Sequence, residues 1–572
     1  MERGLFSEVE KMLSMENIRS HVQEFAKFNR YTGTPQGERA AKYISDTVKS
    51  YGVEIRNYVY EAYTSLPLSA SILCEGKTIR AIAAVYSGSI RELESVLYYD
   101  KLGESKIETW EEQEQRFRDM KDKIVLTVCG GGNFAKQAAS AGALGVIQMQ
   151  TSPEKQIHHT TLGDVWGTPI PADRDLFSFL PFVSVNRDDG EYLKRHCGQA
   201  IVLNTETECS VKTTTMPVAV IPGKSPSFVL ISGHYDSWYE GVTDNAVSDA
   251  IMMEYARIFQ KLSSKLKRGV VIGWWSGHSD ARYSGSAYFC DQEWRWLKDC
   301  CVGHINLDLT GCKGAEQIRA RTALTEGESF TGDLIKKYTK RERLSPIPMI
   351  RGADQSFWGV DLPIHIMLKY EVADEKRNFQ CPSGGPWWHS DEDTLDKYDD
   401  KFAERDAKIN AEIAAAIIDS TRIPVDLTGF LRLMKAKLKD LEKEIPETLD
   451  LEEEVYKLDE LEEQLLPLCS HPMFNTQKSD HIIKTVVGGL ARITYSYSSP
   501  YEQDRARGGG MFPGFSDAIG KNLKNTKEED FLFLKNEFIR QKNRMRGEID
   551  QILTAVRLQL LQWKELEQIE RG

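Results

Sequence analysis

Residues 228–259 constrain this chain more than any other stretch. Phe228, Val229, Leu230 and Ile231 form a short apolar run, as in a strand buried on both faces. The run breaks at Ser232-Gly233 and presents His234, Tyr235, Asp236 and Ser237. Asp244-Asn245 follow in a loop, and then Ile251, Met252, Tyr255, Ala256 and Phe259 recur at helical spacing. Side chains alternate along a strand, so His234 and Asp236 are expected on one side, where a carboxylate can orient an imidazole. A histidine and a carboxylate meeting at the carboxyl end of a strand supply half of a metal site. The competing reading is a buried histidine flanked by solvated loop carboxylates.

At 572 residues the chain has room for about two to four domains. A formal net charge of -12 argues against nucleic acid as the main partner. The first residues, MERGLFSEVEKM, are charged and amphipathic, and no stretch approaches eighteen uncharged apolar residues. Neither a secretion signal nor a membrane span is therefore expected. The ten cysteines are scattered without a Cys-x-x-Cys pair, which points to reduced thiols in a cytoplasmic protein.

Three segments differ in character. Residues 1–60 and 215–400 alternate helices and strands, which argues for a doubly wound sheet. In the first, Ile18, Val22, Phe25 and Phe28 make a helical stripe; in the second, strands are expected at 268–275, 302–309 and 364–368. Residues 61–214 shift to short strands and turns, with strands at 123–128 and 145–149. Their Gly130-Gly131-Gly132-Asn133 turn fits neither nucleotide fingerprint. His158 and His159 read as solvated loop histidines that could also reach a cleft, and His304 and His365 as satisfied core histidines. Residues 401–572 carry Lys- and Glu-rich helical patterns at 402–422, 427–445, 451–466 and 531–569, the last a long helix or a pair. Between them Gly508 to Phe515 reads as a flexible lid with exposed aromatics.

Several pieces, in this order, resemble the co-catalytic zinc aminopeptidase and glutamate carboxypeptidase family, with which transferrin receptor shares its fold. They are Gly233-His234-Tyr235-Asp236-Ser237, Thr243-Asp244-Asn245-Ala246, Asn306-Leu307-Asp308, Gly352-Ala353-Asp354-Gln355-Ser356-Phe357 and His389-Ser390-Asp391-Glu392-Asp393-Thr394. The resemblance implies a zinc-aminopeptidase-type α/β domain made of 1–60 and 215–400. Residues 61–214 would be a β-rich protease-associated insert, and 401–572 a helical domain for dimerisation and a lid. It also implies His234 and Asp308 on one metal, His389 on the other, Asp244 bridging both, and Asp236 orienting His234.

One departure matters. The family carries a Glu-Glu pair after the second strand, the first as general base and the second as metal ligand. Counted from the strand, His278 and Ser279 stand there; counted back from Gly285-Ser286, Ser279 and Asp280 do. Neither count restores the pair, and the first is preferred because the strand fixes the site. An imidazole can serve as base or as ligand, whereas a hydroxyl is a poor zinc ligand. If His278 ligates, the ion near His389 is expected to keep a nitrogen-rich set. Arg282 and Tyr283 are candidates for binding a carboxylate or oxyanion, and Trp388 for walling the substrate pocket.

The expectation is a homodimeric metal-dependent hydrolase of a small peptide or amide, holding one or two divalent ions, zinc first, with iron or manganese as alternatives. The alternatives are a metal-dependent cyclase or lyase, and a non-catalytic binding or scaffold protein.

Overall fold

The computed structural model describes residues 4–105, 108–153, 155–322, 326–341, 347–349, 352–377, 383–505 and 510–571. Among the described residues fourteen strands form one mixed sheet. In chain order they are β1 (Glu54–Cys74), β2 (Lys77–Arg80), β3 (Ile82–Ala83), β4 (Ile90–Tyr99), β5 (Ile124–Thr127), β6 (Gly145–Met149) and β7 (Phe182–Val185). There follow β8 (Ala200–Ile221), β9 (Phe228–His234), β10 (Gly269–Trp275), β11 (Cys301–Asn306), β12 (Gln317–Thr322), β13 (Ile347–Pro348) and β14 (His365–Glu371). The order across the sheet is β13-β12-β14-β11-β9-β10-β8-β4-β5-β6-β7-β3, with β1 paired to β8 and β2 to β1.

The apolar run at 228–231 becomes β9, flanked in parallel by β10 and β11. Alternation along β9 sends Val229 and Ile231 into one core and Phe228 and Leu230 into another. A parallel strand covered on both faces needs apolar residues at every position, which is why the run is continuous. The first core is closed by helices Met15–Phe25, Pro35–Ser50, Val247–Lys261 and Asp400–Asp419. The second is closed by Ser284–Gln292 and Trp294–Cys300. Because the three strands run parallel, His234, Trp275 and Asn306 end at one edge of the sheet. β11 stops at Asn306 instead of continuing to Leu309, whose φ of +60° turns the chain away.

β1 and β8 are far longer than their sequence suggested. They pair antiparallel from Glu54–Val220 to Leu73–Val202. One end of β8 pairs with β10 and the other with β4, so a single ribbon carries the sheet from one half to the other. The expected boundaries at 60/61 and 214/215 fall inside these two strands.

The C-terminal helices, Leu427–Glu442, Glu452–Ser470, Asp480–Tyr495 and Glu528–Arg571, share a continuous core with the α/β half. The last is one helix of 44 residues, not a pair. Helix Asp480–Tyr495 was not anticipated, because its sequence DHIIKTVVGGLARITY has β-branched residues and a glycine pair, both poor helix formers. Packing explains them: a Cβ at Gly488 would lie 2.3 Å from the Asp361 Cα, and one at Gly489 would lie 2.8 Å from Ile552. The expected lid is corrected where it is described. Met511, Phe512 and Phe515 are buried, Phe515 against Phe538 with ring centroids 4.8 Å apart, while Gly508 and Gly509 lie outside the described residues. Among the described residues no helix is long and apolar enough to cross a membrane.

Candidate metal centre

At the shared strand edge the chain brings His234, Asp244, Asp308, His278 and His389 together. His234 leaves β9 with its Nδ1–H donating to the Asp236 carbonyl at 2.9 Å. That bond leaves Nε2 facing Asp244 Oδ1 at 3.1 Å and Asp308 Oδ1 at 3.7 Å. Asp244 reaches the other way as well, with Oδ2 at 3.3 Å from His389 Nε2. The His278 ring stacks on His234, centroids 3.8 Å apart, and stands edge-on to Tyr283 at 4.8 Å. His234, His278 and Asp308 each offer one ligand atom, all within 4.8 Å of one another. His278 thus groups with His234 and Asp308, whereas the sequence reading put it with His389.

Asp236 departs from its expected role. Its carboxylate is 3.9 Å from His234 Nδ1, and it accepts instead from the backbone N–H groups of His278 and Ser279 at 3.0 and 2.9 Å. The histidine is oriented by the Asp236 carbonyl, and the carboxylate fixes the turn after β10. Alternation places a side chain on a face but does not choose between its carboxylate and its carbonyl.

Residues without an assigned role hold the ligand loops. Asp393 accepts from Thr243 N, Thr243 Oγ1 and Asp244 N at 3.0, 2.8 and 2.9 Å, tying the His389 loop to the Asp244 loop. Asn245 donates to Leu307 O and accepts from Leu309 N, which clamps the turn bearing Asp308. Arg30, fully buried, donates to the carbonyls of Phe25, Tyr235, Glu240 and Gly241. Asp393 and Asn245 stand beside recognised ligands, so their motifs pointed to them; nothing near Arg30 in the sequence did.

Of the two readings open for His158 and His159, the structure bears out the second: their loop reaches the His389 loop instead of standing in solvent. His159 is buried, its ring stacked 4.2 Å from Trp238, and its backbone N–H donates to the His389 carbonyl. His158 Nδ1 bonds the Trp388 carbonyl at 2.5 Å. Trp388 itself stacks on His389 at 3.5 Å, and Trp387 Nε1 donates to Thr243 Oγ1. Tyr283 stacks on Trp166 at 4.0 Å, and the Arg282 guanidinium lies over the Tyr283 ring at 5.2 Å. His304 bonds Ser232 Oγ through Nε2, but His365, stacked on Trp358, has no well-formed hydrogen bond at either nitrogen.

The donor set fits a divalent cation. His234 Nε2 and Asp308 Oδ1 are buried with no hydrogen-bond partner, an expensive state for ligand-type atoms unless a cation lies between them. Burial disfavours the His234 imidazolium, yet Asp244 and Asp308 outweigh it and hold its pKa well above the ordinary value. Burial likewise pushes Asp244 up, but His234 and His389 bring it below the usual carboxylate range. Burial, reinforced by Asp244, raises Asp393 to about 7; burial and Asp236 raise Asp280 to about 7. The carboxylate oxygens and imidazole nitrogens of the centre suit zinc.

Residues 218–414, which contain every ligand candidate, match the family model of Peptidase family M28. The fold is similar to that of the aminopeptidase of an Aneurinibacillus species, with a TM-score of 0.55 and 20% identity over 72% of this chain and 96% of that one. It is also similar to a zinc aminopeptidase of Bacillus subtilis, with a TM-score of 0.55 and 18% identity over 71% and 94%. A peptidase M28 precursor of Shewanella amazonensis gives a TM-score of 0.56 and 16% identity over 72% and 96%. No curated protein matches by sequence. Residues 218–414 of this chain thus carry the match to peptidase family M28, and the solved aminopeptidases share its fold.

Proposed function

We propose that this chain is a metal-dependent hydrolase of peptide or small amide bonds, with His278 and Ser279 where the family pattern has two glutamates. The observation that carries the reading is the buried, unpartnered pair His234 Nε2 and Asp308 Oδ1, with Asp244 between His234 and His389. His234, Asp308 and Asp244 would hold one ion; Asp244 and His389 offer a second position whose third ligand is weakened by Ser279. A divalent ion there supplies Lewis acidity toward a scissile carbonyl and a more acidic water. Arg282, whose guanidinium lies over the Tyr283 ring, and Tyr283, edge-on to His278, would bind a carboxylate or developing oxyanion. Trp388 closes the His389 side.

Room for a peptide side chain is offered by a cavity of about 370 Å³ behind Trp166, walled also by Tyr288, Tyr497 and Tyr501. Without a carboxylate base the turnover is expected to fall by about 10²–10⁴ relative to one that has it. The free thiols at the nine described cysteines support a cytoplasmic setting. The exposed Leu558, Leu561, Leu566 and Ile569 of the last helix support a homodimer.

The test is metal content by mass spectrometry on protein purified without chelator, beside His234→Ala, with aminoacyl and peptide amides as substrates. Near-stoichiometric metal lost in the variant, with slow hydrolysis, is expected. Protein that takes up no zinc, iron or manganese refutes the reading and leaves the binding-module alternative.

A further inference from the structure

We propose that Asp354 is a positioning residue that makes His278 a ligand of the ion held by His234 and Asp308. This rests on the metal-site reading above. Asp354 is completely buried, and its Oδ2 lies 2.7 Å from His278 Nδ1. A carboxylate can only accept there, so Nδ1 carries the proton and Nε2 presents a lone pair.

The other carboxylate oxygen is already taken. Trp166 Nε1–H donates to Ser356 Oγ at 2.8 Å, a bond from the insert. Ser356 Oγ is 2.8 Å from Ser286 Oγ, and Ser286 donates to Asp354 Oδ1 at 2.8 Å, with Tyr283 O a longer alternative at 3.2 Å. Trp166 is a donor only, so the chain of hydroxyls runs in one sense, from the indole to the carboxylate. Its end leaves Oδ2 free for the histidine. The stack on His234 then holds the ring with one nitrogen within 4.8 Å of the ligand atoms of His234 and Asp308, and Nε2 is the nitrogen that Asp354 leaves open. A carboxylate bonded to the far nitrogen of a ligating histidine fixes its tautomer and strengthens it as a donor.

The chain also dictates what a substitution does. In Asp354→Asn, Ser286 still claims the oxygen, so the amide NH2 faces His278 Nδ1. That nitrogen must become an acceptor, the proton moves to Nε2, and the lone pair toward the metal is lost.

The experiment uses the full chain and measures zinc affinity by competition with a chromophoric chelator, and the visible spectrum of the cobalt(II) form. Asp354→Asn is expected to weaken zinc by about 10–100-fold. Its cobalt spectrum should move to that of His278→Ala. In the His278→Ala background the same substitution should change affinity by less than about threefold, because effects that act through one residue do not add. Ser286→Ala, which keeps the carboxylate, should weaken binding by a smaller factor and again only when His278 is present; it stands in if circular dichroism shows Asp354→Asn unfolded. Unchanged affinity, or an equal loss with and without His278, overturns the proposal while metal binding stands. A wild type that binds no metal overturns both.

Discussion

His365 offers a clean test of how tightly the sheet is packed. It sits on β14, fully buried and stacked on Trp358 at 4.2 Å. Burial lowers its pKa from 6.5 to about 3, with the Leu362 backbone pulling partly back. The unfolded chain therefore binds a proton below the ordinary pKa that the folded chain refuses until about pH 3. Stability is complete above pH 6.5 and falls progressively as the pH drops toward 3. At pH 5 the gap from 6.5 is 1.5 units, which at 1.36 kcal/mol per unit costs the native state about 2 kcal/mol. His365→Phe keeps the ring and its stacking but cannot titrate. Urea unfolding followed by tryptophan fluorescence, for both proteins at pH 8 and pH 5, reads the difference. The variant is expected to gain about 2 kcal/mol more at pH 5 than at pH 8. An equal gain at both values would show that His365 titrates normally, and the argument from burial would fail.

Asp393→Ala removes three bonds that anchor Thr243 and Asp244 and should weaken metal binding by about 10–100-fold, measured by chelator competition. Arg30→Met strands four carbonyls around a buried site and should cost about 3–5 kcal/mol, read as a lower urea midpoint. Phe515→Ala should cost about 3–5 kcal/mol because the ring fills a core against Phe538; an unchanged melting temperature would restore the lid reading.

The β9 stretch, the parallel strands after it and the M28 likeness were legible because buried parallel strands demand continuous apolar runs and ligand motifs sit where those strands end. Helix Asp480–Tyr495 was hidden because its glycine pair makes sense only against Asp361 and Ile552, which are remote in sequence. The aromatic loop looked exposed because its glycines signal a turn and say nothing of what covers it. Local chemistry thus fixed which residue types stand at the site. Tertiary packing alone decided that Asp236 orients through its carbonyl, that His278 stacks on His234 and takes Asp354 as partner, and that His158 and His159 reach the loops of His389 and Trp238. Those contacts join residues up to hundreds of positions apart, and hydrogen-bond direction, unlike periodicity, exists only once both partners are in place.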